Sequence, residues 1–193
     1  ATLPSSARAE DAFVIPLAPE QAPPRWVFEL HTGFSFPLQT ASLCPEGSGC
    51  VLRGGGGIGT SVERRSPSGF GWLIGYGAWF LDSDSVFELA VQQILRGGVR
   101  YTMPTDTVLH PVFELSLGMM GYGDTFYIET VGGLLQAFGG AEIELNETFG
   151  LLLGIALRAF THTEFRTERD GALRGNDGVF SETAVLQVGL TVM

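Results

Sequence analysis

Apolar residues alternate with small or polar ones at a period of two along most of this chain, and nothing else constrains its fold as strongly. The closing run shows the pattern: Ala184, Leu186, Val188, Leu190 and Val192 share one phase, and Gln187, Gly189 and Thr191 share the other. Successive strand side chains point to opposite faces, so this alternation describes strands with two unlike surfaces. The runs approach the length of about 9–11 residues with which a tilted strand crosses a bilayer. Although 45% of residues are hydrophobic and mean hydropathy is +0.21, no 18-residue apolar stretch free of polar residues occurs. A membrane-spanning helix is therefore not expected, whereas dispersed apolar residues suit barrel strands.

Eight strand-like segments follow one another from Arg25. In the first, Trp26, Phe28, Leu30, Thr32, Phe34 and Phe36 share a face opposite Val27, Glu29, His31, Gly33 and Ser35. The second, over about 51–64, is weak and contains Gly54 to Gly57. Those glycines lack the Gly-Lys-Ser/Thr ending of a phosphate loop and read as close packing or a bend. The third sets Phe70, Trp72, Ile74, Tyr76, Ala78 and Phe80 against Gly71, Leu73, Gly75, Gly77 and Trp79. After a tight turn at 82–85, the fourth presents Phe87, Leu89 and Val91 against Glu88, Ala90 and Gln92. Its phase is lost after Gln93, where a bulge would fit. The fifth runs from Leu109, the sixth over about 130–145, the seventh from Phe149, and the eighth closes the chain. These segments predict an all-β fold: a closed antiparallel up-and-down transmembrane barrel, residues 25–193, preceded by a Pro-rich extended arm, residues 1–24. Closure removes the sheet edge that a bilayer would not tolerate.

Composition narrows the function. A formal net charge of −10 disfavours nucleic acid, because phosphate binding needs clustered cations. It also disfavours simple attraction to anionic lipid; soluble loops account for the acidity. Cys44 and Cys50 enclose Pro-Glu-Gly-Ser-Gly, a spacing unlike a CxxC metal or redox motif. They read as a disulfide stapling an exposed loop, which implies an oxidising compartment; two free cysteines in a reducing one are the alternative. The chain shows no signal peptide and would be the processed form of an exported protein.

Connections at 38–50, 123–129 and 166–180 are mostly longer than those at 64–69, 102–108 and 146–148, with 82–85 an exception to that trend. Long external loops and short periplasmic turns would place both termini in the periplasm. Trp26, Trp72, Tyr101 and Phe149 fall near one set of strand ends, and Phe34 and Phe80 near the other, as two interfacial aromatic belts would. On these residues the chain resembles small outer-membrane β-barrel proteins of the OmpA/OmpX type, over roughly residues 25–193. The resemblance implies a bacterial outer-membrane protein in contact with outer-membrane lipid. It departs at the last residue: the family usually ends on an aromatic side chain in the apolar phase, whereas Met193 falls in the polar phase.

The polar phases carry Glu29, His31, Arg53, Glu88, His110, Glu114, Glu142, Glu144 and Arg158. Within eight strands these would fill a narrow interior as a hydrogen-bonded network, with a narrow ion or solute path as the alternative. Some barrels of this type are lipid A deacylases with a His-x-Ser pair. Here His162-Thr163-Glu164 lacks the serine, and His31 and Ser35 lie four residues apart. The expected role is therefore structural or interaction-based rather than enzymatic, through the external loops or the N-terminal arm, with no cofactor or metal. Asp170, Asn176 and Asp177 lack the spacing of a calcium loop and read as turn residues. A soluble lipocalin-like barrel around an apolar ligand is the remaining reading; it requires the apolar face inside.

Overall fold

A computed structural model describes residues 23–40, 42–175 and 180–193. Most of the N-terminal arm, together with Asn176 and Asp177, lies outside the described residues. The strands are β1 (Arg25–Gln39), β2 (Gly55–Arg65), β3 (Phe70–Leu81), β4 (Ala90–Thr102), β5 (Leu109–Asp124), β6 (Thr130–Glu144), β7 (Phe149–Phe160), β8 (Phe165–Arg166), β9 (Leu173–Arg174) and β10 (Ser181–Val192). Eight of them close a barrel in the order β1-β2-β3-β4-β5-β6-β7-β10, and β8 and β9 form a small separate hairpin. Every barrel neighbour is antiparallel, and the first and last staves join through pairs such as Leu30 with Leu190. No described helix is long and apolar enough to cross a membrane.

The two phases of alternation become the two surfaces. Leu30, Leu117, Met119 and Leu186 are more than half exposed on the outside. Glu29, Glu63, Arg100, Glu114 and Gln187 are buried inside. This is the reverse of a soluble ligand-carrying barrel, whose apolar face turns inward. From Trp26 to Phe36 the outward face of β1 rises roughly 25 Å once a tilt of about 40° is allowed for, the height of a lipid-facing band. Outward hydroxyls within the band are satisfied internally: Thr32 donates to the carbonyl of Gly57 and Thr60 to that of Glu29, both at 2.9 Å. Tyr76 donates to Gln93 Oε1 across the β3–β4 pair, also at 2.9 Å.

Three local expectations are corrected. The connection after β3 is not a tight turn at 82–85 but runs over 82–89, because Phe87 turns inward at 5% exposure and pairing resumes only at Ala90. With that change the loops at 40–54, 82–89 and 161–180 share one end of the barrel with 125–129, and the shorter turns at 66–69, 103–108 and 145–148 share the other. These are called the loop end and the turn end below. Second, β4 carries no bulge: its register with β3 and β5 is unbroken from Ala90 to Tyr101. Third, β2 begins at Gly55, and Val51 and Leu52 are buried under the loops.

The interior glycines make room for large neighbours. A Cβ at Gly57 would stand 2.4 Å from the indole of Trp79, and one at Gly59 2.4 Å from His31 Nε2.

Candidate functional site

The barrel interior has two halves. Toward the turn end it holds four buried carboxylates (Glu29, Glu63, Glu114, Glu142) and four buried guanidiniums (Arg65, Arg96, Arg100, Arg158). All 11 basic residues of the chain are arginine, whose planar fork suits several carboxylates at once. Arg100 is the hub: Nη1 lies 2.7 Å from Glu29 Oε2 and 3.5 Å from Glu63 Oε2, and Nη2 lies 2.7 Å from Glu114 Oε2. Arg65 spans Glu63 at 2.9 Å and Glu142 at 2.8 Å, and Arg96 pairs with Glu114. Ser61 and Gln187 donate further hydrogen bonds to Glu29, Ser116 and Gln136 to Glu114, and Thr191 to Glu142. All four carboxylates and three of the four guanidiniums are ion-paired, the condition under which ions tolerate burial, whereas Arg158 has no carboxylate partner among the described residues.

Toward the loop end the interior turns apolar. Trp79, Ile94, Met120, Tyr122, Leu134, Phe138 and Phe160 pack together beneath Leu43, Val51 and Leu52 from the loop at 40–54. Arg158 joins the halves: its guanidinium lies 4.2 Å from the Trp79 ring centroid while Nε donates to Gln136 at 2.8 Å.

The structure places the sequence candidates unevenly. Glu29, His31, Glu114 and Arg158 lie inside, with His31 Nδ1 2.9 Å from Glu29. Arg53 and Glu88 do not. Arg53 precedes β2 and meets Asp84 at 2.7 Å on the loop surface, and Glu88 is exposed in the 82–89 loop. Alternation continued past the ends of both strands, but hydrogen-bond pairing did not. Arg65, Arg96, Arg100 and Glu63 escaped sequence reasoning; the successive two-residue steps from Ser61 to Glu63 to Arg65 were the signal available. Trp26, Trp72, Tyr101 and Phe149 project outward at the turn end, and Phe34 and Phe80 outward toward the loop end.

The loops form a cap. Cys44 and Cys50 are disulfide-bonded, with Cα atoms 4.2 Å apart. Arg174 fastens this loop to the last one: Nε donates to Leu43 O at 3.2 Å, and Nη2 donates to Gly49 O at 2.7 Å and to Asp170 at 2.6 Å. Hydrogen bonds from Arg174 and Thr167 hold the Asp170 carboxyl well below its ordinary range. Tyr122 donates to the carbonyl of Val51 from inside the barrel.

Among the described residues, two histidines, His162 and His110, lie outside the Arg100 network. His162 stacks edge-on to Phe160 at 5.1 Å, its ring nitrogens have no hydrogen-bond partner among the described residues, and burial pushes it down to about 4. In a turn-end cleft of about 310 Å³, His110 lies 3.1 Å from Thr105 Oγ1 and 3.4 Å from Glu144. The Thr105 hydroxyl also sits 2.8 Å from the carbonyl of Leu109 and 3.2 Å from the Thr107 hydroxyl.

Among solved structures, Neisserial surface protein A superimposes with a TM-score of 0.63 at 10% identity, over 86% of this chain and 96% of that one. This chain has the fold of a small outer-membrane β-barrel. The outer-membrane enzyme PagL overlays more loosely, with a TM-score of 0.45 at 11% identity over 86% and 99% of the two chains. No protein-family model and no curated protein matches the chain. A shared barrel at such identity reports architecture alone.

Proposed function

We propose that this protein is an integral outer-membrane barrel, closed to solute, whose loop cap is a rigid interaction surface, with the termini and short turns in the periplasm. The carrying observation is the filled interior: the Arg100 network and the apolar cluster around Trp79 occupy the axis beneath the fastened cap. An eight-stranded barrel is only wide enough for its own side chains. Long loops at one end and short turns at the other favour the stated orientation. The cap exposes Glu46, Glu88, Glu164 and Glu168, so its charge favours a basic or cation-bridged partner.

Two measurements test this reading. Purified full-length protein is expected to aggregate without detergent and to give no single-channel openings in planar bilayers. A monodisperse species without detergent overturns the membrane assignment; reproducible conductance steps overturn the closed interior.

A further inference from the structure

Only two charged side chains, Arg64 and Glu182, point outward from the described barrel staves, one near each end of the apolar band. Arg64 has unusual neighbours. It faces Trp26 across the β1–β2 pair and Trp72 across the β2–β3 pair, so the three form one cross-strand row. Its guanidinium carbon lies 5.8 Å from the Trp26 ring centroid, within reach of a cation–π contact. The two indoles meet edge to face at 5.7 Å, both about half exposed (48% and 50%).

Among the other outward polar side chains, Thr32, Thr60, Tyr76 and Gln93 each have a hydrogen-bond partner in the protein. Among the described residues Arg64 has none, and no described carboxylate lies within ion-pair distance of it. Its guanidinium therefore has its donors available at the boundary between apolar surface and water. A phosphate oxygen is the group such a fork matches, and tryptophans belong at headgroup depth.

We propose that Arg64, held between Trp26 and Trp72, binds the phosphate of an anionic phospholipid headgroup at the turn-end edge of the barrel. This rests on the membrane reading above. The neighbouring Arg65 and Arg25 face the turn-end cleft instead, where Arg65 is occupied by Glu63 and Glu142.

The test uses the full chain folded in non-ionic detergent, titrated separately with phosphatidylglycerol, phosphatidylethanolamine and inorganic phosphate. Lipid adducts are read by native mass spectrometry, and the environment of the two site tryptophans by fluorescence. Phosphatidylglycerol is expected to be retained about tenfold better than phosphatidylethanolamine. Arg64→Gln is expected to abolish that preference and Arg64→Lys to keep part of it, since an ammonium supplies charge without the fork. Inorganic phosphate is expected to leave the fluorescence unchanged. The wild-type comparison of the two lipids stands without any variant, and circular dichroism verifies that each variant is folded. Equal retention of both lipids, equal binding by Arg64→Gln, or a phosphate response matching that of phosphatidylglycerol overturns the site. Wild-type protein that is monodisperse without detergent overturns instead the membrane reading beneath it.

Discussion

Arg100 shows what a single side chain does in this barrel. It lies 2.7 Å from both Glu29 and Glu114, is 1% exposed, and sits between staves far apart in sequence. Arg100→Met leaves these carboxylates without their shared partner in a water-poor interior, at a cost of about 3–5 kcal/mol. Urea unfolding in detergent should show that loss, and Arg100→Met combined with Glu114→Gln should recover part of it. His162 supplies a pH effect of definite sign. Its folded-state value of about 4 lies below its ordinary 6.5, so the unfolded chain takes up the proton first as pH falls. Its contribution to stability is complete above the ordinary value and is lost as pH falls through that window toward the folded value. The hydrogen-exchange protection factors of residues 161–175, corrected for the intrinsic pH dependence of exchange, should therefore fall between pH 7 and 5 more in wild type than in His162→Leu. Alternation made Glu29, His31, Glu114 and Arg158 legible as inward residues. Arg96 and Arg100 were hidden because Gly97 and Gly98 erase the apolar signal that sets phase.

At the scale of elements, strands and loops divide differently between sequence and structure. The third, seventh and eighth segments were legible almost to the residue, since large aromatic and aliphatic side chains mark one face of each. The loop end was not. That Leu43, Val51 and Leu52 turn down onto the barrel core, and that Arg174 bonds to carbonyls more than a hundred residues away, leaves no local trace. Carbonyl acceptors exist at every residue, so no residue type announces them. The cap is held by Arg174, the Cys44–Cys50 bridge and the Tyr122 hydrogen bond. Arg174→Ala with the disulfide reduced should raise the rate of proteolysis within 40–54 and 161–180 at least about tenfold, the equivalent of roughly 1.4 kcal/mol of local opening. The barrel strands should stay protected, because their ladder pairs do not pass through the cap.

The whole molecule is a closed cylinder with opposite solvents in mind for its two surfaces: apolar staves outside, paired ions and packed aromatics inside. Closure joins β1 to β10 over a register from Phe28 with Val192 to Phe36 with Ala184, so no edge is left for a bilayer to meet. The last residue, Met193, lies beyond β10, and its amide donates to Thr148 at 2.8 Å, fastening the chain end to the turn before β7. The sequence by itself determined that the chain forms alternating strands, which face of most of them is apolar, and that such strands suit a barrel. These follow from the period of two, a property of the backbone that neighbouring residues report. Only the tertiary structure decided which charges meet inside, where strands end, and that the loops close one mouth. Those outcomes depend on register and on contacts between distant segments, where a shift of one residue exchanges inside for outside.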